Sequence, residues 1–137
     1  KELNRKDYPP ETKPIAMIKD TISNCDGVIV LGFKQIRIIK GREKGGTKDP
    51  RTLINTFLPT AWNHIEATIG YMLDVPVLVI QEGVSGGIFD AGTNDFLIHQ
   101  IAISGRNPFR SREFDPVLNQ WFRDVKFPFW SKPFLNH

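Results

Sequence analysis

The chain has 137 residues, enough for one domain with a real core and too few for two comfortable ones. Hydrophobic residues at 40% and charged residues at 24%, with ordinary Gly and Pro content, exclude the disordered, fibrous and disulfide-stapled classes. The net charge is only +3, and basic residues are spread out except in 40-KGREKGGTK-48, so the footprint of a nucleic-acid binder is weak and nucleic acid is not an expected partner.

A single cysteine, Cys25, excludes an intrachain disulfide and fits a reducing compartment. No apolar run approaches the roughly 20 residues that span a bilayer. The lead 1-KELNRKDYPPETKP-14 is polar and Pro-rich, unlike the apolar core of a signal peptide. These features predict a cytoplasmic protein with no membrane partner. The chain starts without Met, as a processed or truncated protein does.

In chain order, Ile15, Ile18 and Ile22 recur at helical spacing after Pro14, which is tolerated at a helix start, and Asn24 and Gly27 close that short helix. The continuous apolar run 28-VIVLGF-33 predicts a strand buried on both faces. Next, 35-QIRIIKGREKGGTKDPRT-52 begins as a strand extension and decays into Gly, Lys, Asp and Pro, which predicts a long exposed loop. The pattern is helical from Pro59 through Leu73, and 75-VPVLVI-80 predicts a second buried strand with Pro76 near its start. Helix, strand, helix, strand in this order predicts a parallel sheet.

The Gly-, Ser- and Asp-rich segment 81-QEGVSGGIFDAGTND-95 reads as a loop at the C-terminal end of a strand, the edge where open parallel sheets bind ligands. Then 96-FLIHQIAI-103 has strand composition, 105-GRNPFRS-111 reads as a turn, and 113-EFDPVLNQWFRDV-125 as a helix with Val117, Leu118, Trp121 and Phe122 on one side. The aromatic, Pro-interrupted end 127-FPFWSKPFLNH-137 is expected to lie over the sheet as an irregular strap. One domain over 1–137 accounts for all of these segments.

Several familiar sites fail on chemistry. Gly41 and Gly46 have Walker spacing, but Thr47-Lys48 stands where Lys followed by Ser or Thr is needed. The glycines of 83-GVSGG-87 lack dinucleotide-fingerprint spacing and mark a tight loop. His64, His99 and His137 are too scattered for a metal site, and His99 reads as a strand histidine with a satisfied hydrogen bond. No metal and no resident cofactor is expected.

Glu66 survives this sorting. At about 100° per residue, Trp62, Ile65, Ile69, Met72 and Leu73 share an arc and Glu66 falls at its edge, between Leu73 and Gly70. Asn63, His64, Ala67 and Thr68 occupy the more polar sides, where a merely solvating carboxylate would be better placed. Gly70, one turn along, leaves room for whatever approaches Glu66. Two readings stand: a boundary Glu paired with Lys or Arg, or a half-desolvated carboxylate with a raised pKa used for proton transfer or to stabilise a cation.

The segments 22-ISNCDGVIVLGF-33 and 62-WNHIEATIGYMLDVPVLVI-80 resemble the second half of TIR (Toll/interleukin-1 receptor) domains and of nucleoside 2-deoxyribosyltransferase-like domains. In those families a strand of the form "I..CD.vIvl" precedes a helix "W...E.g.a..l..P", with the Glu ten residues before the Pro; Glu66 and Pro76 have that spacing. Through 80-IQEGVSGGIFD-90 the match looks like an uncharacterised bacterial group of TIR-like, predicted nucleotide-binding proteins. The resemblance covers roughly residues 4–125. Trp62, Glu66 and Pro76 are its most specific part.

This resemblance implies a flavodoxin-like α/β sheet flanked by helices, with the first strand-helix unit of the family missing. It also implies cleavage of an N-glycosidic bond, either splitting NAD or releasing the base of a nucleoside or nucleotide. Glu66 would stabilise or trap the ribosyl cation. Trp62 would shape the pocket, and Gly32, Phe33 and Lys34 would hold base or phosphate, with Gly70 and Gly83 as further binding positions. The loop around 40–58 is longer than in simple TIR domains, which suits a lid or an oligomer contact. The rival expectation is a non-catalytic TIR-like module that senses a nucleotide or assembles with further copies in a bacterial signalling or defence system.

Overall fold

A computed structural model describes residues 13–90, 97–103 and 114–128. Helix α1 spans Pro14–Ser23, strand β1 Val28–Gly32, β2 Ile36–Glu43, β3 Arg51–Leu58, helix α2 Ala61–Met72, β4 Val77–Gln81, β5 Ile98–Ala102 and helix α3 Phe114–Lys126, with a 3-10 turn at Gly87–Phe89. The architecture is α/β: a parallel sheet of order β1-β4-β5, flanked by helices in the manner of a flavodoxin-like fold, and a separate antiparallel ribbon of β2 and β3.

The central strand β4 reads as a run of Val, Leu and Ile because both of its faces are covered, and Val77, Leu78 and Val79 are fully buried. Val77 and Val79 point to one face with Val30, Ala67 and Phe89. Leu78 and Ile80 point to the other, where Ile101, Phe114 and Trp121 of β5 and α3 meet them. Trp121 also donates its indole N–H to the Pro76 carbonyl at 3.0 Å, giving the polar end of that buried ring a partner. Helix α1 closes the first face, with Ile18 and Ile22 packed against Val75, Trp62, Ile69 and Leu73. His99 pairs with Asp124 of α3 at 2.9 Å, as the reading of a satisfied strand histidine requires.

Three expectations are corrected. First, β1 is covered on one face only: Ile29 and Leu31 are about half exposed, because β1 is an outer strand of the described sheet. Second, 35–52 is not a long loop. It holds all of β2, a turn and the start of β3, in register from Ile36 opposite Leu58 to Glu43 opposite Arg51. The β-branched residues on either side of the Gly-rich turn supply the strand propensity that its glycines and lysines obscure. Third, α2 is rotated from the expected arc. Ala67 is fully buried and Met72 is largely exposed, because the line Asn63, Ala67, Gly70 faces the strands while the larger Trp62, Ile69 and Leu73 face α1. Phe122 of α3 is likewise half exposed rather than in the core. The expected turn at 105–111 and all but the first two residues of the expected strap at 127–137 lie outside the described residues.

Candidate functional site

The loop from Thr60 fixes where α2 begins. The Thr60 N–H and hydroxyl both donate to Asn63 Oδ1, at 3.1 and 2.8 Å, the Asn63 half of a capping box that fixes the helix start. Asn63 Nδ2 in turn donates to the Leu31 carbonyl at 3.2 Å. Val28 N–H bonds to Pro76 and Gly32 accepts from Glu82, so the backbones of 28, 30 and 32 face β4. By alternation those of Ile29 and Leu31 face the outer side of β1. Asn63 therefore pins the start of α2 to that outer side. Sequence reading passed over Asn63, although the Thr-x-x-Asn spacing of 60-TAWN-63 is a capping signal that could have found it.

Glu66 follows one turn later. Its helical direction lies between Gly70, which faces the strands, and Leu73, which faces α1, so it occupies the corner between α1 and the outer side of β1. It is half-buried. Burial pushes its carboxyl above the ordinary carboxylate range by penalising the charged form. Among the described residues no hydrogen bond or ion pair reaches it. The boundary reading, in which a Lys or Arg neutralises Glu66, therefore finds no partner among those residues.

The other candidate positions separate into two groups. At the carboxyl ends of the strands, Lys34 lies with its ammonium 5.0 Å from the centre of the Phe57 ring, and a Cβ on Gly83 would lie 3.7 Å from Lys34 Cε. Lys34, Phe57 and Gly83 thus come together, with Phe33 about 40% exposed beside them. Gly83 has φ +58°, a conformation that other residues adopt only with strain.

Gly32 and Gly70 each have a close packing neighbour. A Cβ on Gly32 would overlap the fully buried ring of Phe89. One on Gly70 would come within 2.9 Å of Val77 Cγ2 and also meet Val28. Both glycines permit close packing of backbone against side chain. Trp62 packs its hydrophobic surface against the α1 cluster, so its bulk holds two helices together.

Residues 82–90 of the loop after β4 are fastened, and the rest of the expected loop, 91–95, lies outside the described residues. Ser85 N–H bonds to the Phe57 carbonyl at 3.0 Å, Gly86 N–H to Asp90 Oδ1 at 2.8 Å, and Gln100 Nε2 to the Phe89 carbonyl at 3.0 Å. His64 meets the edge of Phe89 with ring centres 5.1 Å apart. The histidine is thereby committed to packing at the top of the sheet, a contact that spacing along the chain could not reveal. Away from this region, Asn119, Phe122, Arg123 and Lys126 line a surface depression on α3. Among the described residues no three His, Cys, Asp or Glu side chains gather as metal ligands. No helix described is long and apolar enough to cross a membrane.

The arrangement offers one desolvated carboxylate in a corner beside β1 and one cation at the strand ends. Comparison of the chain with protein-family models, with curated proteins and with solved structures returns no match in any of the three.

Proposed function

We propose that this chain is a nucleotide-type N-glycosidase, acting on NAD or on a nucleoside or nucleotide, with Glu66 as its catalytic carboxylate. The observation that carries the reading is the half-buried Glu66, raised in pKa by desolvation and without an ion-pair partner among the described residues. The resemblance of the Trp62, Glu66 and Pro76 frame to TIR-like and nucleoside 2-deoxyribosyltransferase-like domains supports it.

As the C1′–N bond breaks, its electron pair leaves with the base and positive charge develops on the ribosyl ring. An anion already stripped of part of its water stabilises that charge more strongly than a solvated one, since little solvent must reorganise. Water then adds to C1′ and gives up its proton, for which a carboxylate of raised pKa is a fitting acceptor. Lys34 would hold a phosphate at the strand ends, with Gly83 letting backbone approach and Phe33 offering a face to the base. NAD or a nucleotide is substrate here, and no resident cofactor takes part.

Incubation with NAD and with a panel of nucleosides, followed by chromatography of released base, tests the proposal. The wild-type protein should release base and Glu66→Gln should not. No release, or equal release by the variant, would sink it.

A second reading is a non-catalytic TIR-like module that senses a nucleotide or assembles with further copies. The uncovered face of β1 favours it, where Ile29, Leu31 and Phe33 are exposed at 50%, 45% and 40%. Nucleotide binding by calorimetry without turnover, together with concentration-dependent growth in mass by light scattering, would select this reading.

A further inference from the structure

The positive charge of this chain is concentrated in one element. Residues 36–58 carry six cations, Arg37, Lys40, Arg42, Lys44, Lys48 and Arg51, against Glu43 and Asp49, a net of +4 where the whole chain has +3. Composition hides this because the remainder is one unit negative. The ribbon of β2 and β3 stands away from the parallel sheet, and its ties lie at its base: Ser85 N–H to the Phe57 carbonyl at 3.0 Å, and Lys34 over the Phe57 ring. Eight residues per strand at about 3.3 Å each make an arm roughly 26 Å long. Among the described residues only Arg51 is neutralised along it, by Glu43 at 2.8 Å. Lys40, Arg42, Lys44 and Lys48 are exposed and hold no ion pair among the described residues.

We propose that the ribbon of β2 and β3 is an arm that lies in the major groove of double-stranded DNA, with its cations against the phosphates. This surface is separate from Glu66 and does not depend on the glycosidase reading. Two hydrogen-bonded strands about 5 Å apart, with side chains on both faces, fit a groove about 12 Å wide.

Lys40 and its cross-strand neighbour Ile54 share one face with Arg42. The exposed isoleucines, Ile39 at 75% and Ile54 at 68%, stand among these cations and not apart from them. A membrane surface meets one face and rewards apolar residues segregated from the charges, but the turn 44-KGGTKDP-50 is polar and holds Asp49. Duplex RNA is disfavoured because its major groove is too deep and narrow for side chains to read.

The test is fluorescence anisotropy of a short, labelled, random-sequence DNA duplex titrated with the full chain across a salt series. With four unpaired cations on phosphates, log K should fall with log salt at a slope of about −3 to −4. Lys40→Glu with Arg42→Glu should weaken binding at least tenfold at low salt and reduce the slope by about 2. If circular dichroism shows that this pair disturbs the ribbon, Lys44→Glu with Lys48→Glu, placed in the turn outside the ladder, should give the same loss. Three results would overturn the proposal: no duplex binding at low salt, binding unchanged in folded variants, or preference for phosphatidylserine vesicles or single-stranded DNA over the duplex.

Discussion

Replacing Gly32 by Ala asks whether that glycine serves packing or a ligand. A methyl group at this position would overlap the Phe89 ring, which is 1% exposed and has little room to retreat. The Phe89 N–H bonds to the Gly86 carbonyl at 3.2 Å, its own carbonyl accepts from Gln100 at 3.0 Å, and its ring rests on His64. Overpacking of this kind costs about 1–3 kcal/mol. Alanine recovers roughly 0.5–1 kcal/mol by restricting the unfolded chain. The net loss is then about 1–2 kcal/mol. For 137 residues the unfolding entropy near the melting temperature is about 0.3 kcal/mol/K, so Gly32→Ala should lower Tm by about 3–7 °C. Calorimetric melting of wild type, Gly32→Ala and Gly46→Ala measures this; Gly46 has nothing within 4 Å of its added Cβ and serves as the unstrained control. Phe89→Leu in the Gly32→Ala background should return part of the loss, since the two residues are coupled through one contact. A Gly32→Ala protein that melts with wild type would refute the packing role and restore Gly32 as a position facing a ligand.

Two further outcomes follow from the same contacts. Because burial raises the folded-state pKa of Glu66 above its unfolded value, its stabilising contribution is complete below the unfolded pKa and is lost as pH rises through the folded one. Glu66→Gln should therefore raise the urea midpoint relative to wild type at about pH 7.5 and lose that advantage at about pH 4; an equal difference at both would contradict the desolvation. Asn63→Ala removes both the N3 partner of the Thr60 cap and the bond to the Leu31 carbonyl, and should cost about 1–2 kcal/mol in denaturant unfolding without altering the slope. A variant as stable as wild type would mean that α2 is positioned by its apolar contacts alone.

Glu66 was legible as a boundary carboxylate because its angular position depends only on helical periodicity, and Gly70 and Leu73 flank it as expected. Which face of α2 turns inward was not legible. Apolar strength favoured the arc with Met72, yet close approach to a sheet selects small side chains, and Ala67 and Gly70 supply them. Gly32 was expected to hold a ligand because the resemblance places a pocket at the end of this strand; its packing neighbour Phe89 is far along the chain and was not legible. The same distance concealed the meeting of Lys34 with Phe57 and Gly83.

By itself the sequence determined the local elements: the helices through their apolar spacing and Pro14, β4 through its continuous apolar run, and therefore the parallel α/β order. Those signals are short in range, so periodicity and end residues suffice to read them. Tertiary structure alone decided that β1 lies at an outer position of the described sheet, that a Gly- and Lys-rich stretch turns back as a ribbon, and that its cations collect on an arm clear of that sheet. Each of these depends on which distant segment pairs with which, and pairing energy arises from contacts that no single window of sequence contains.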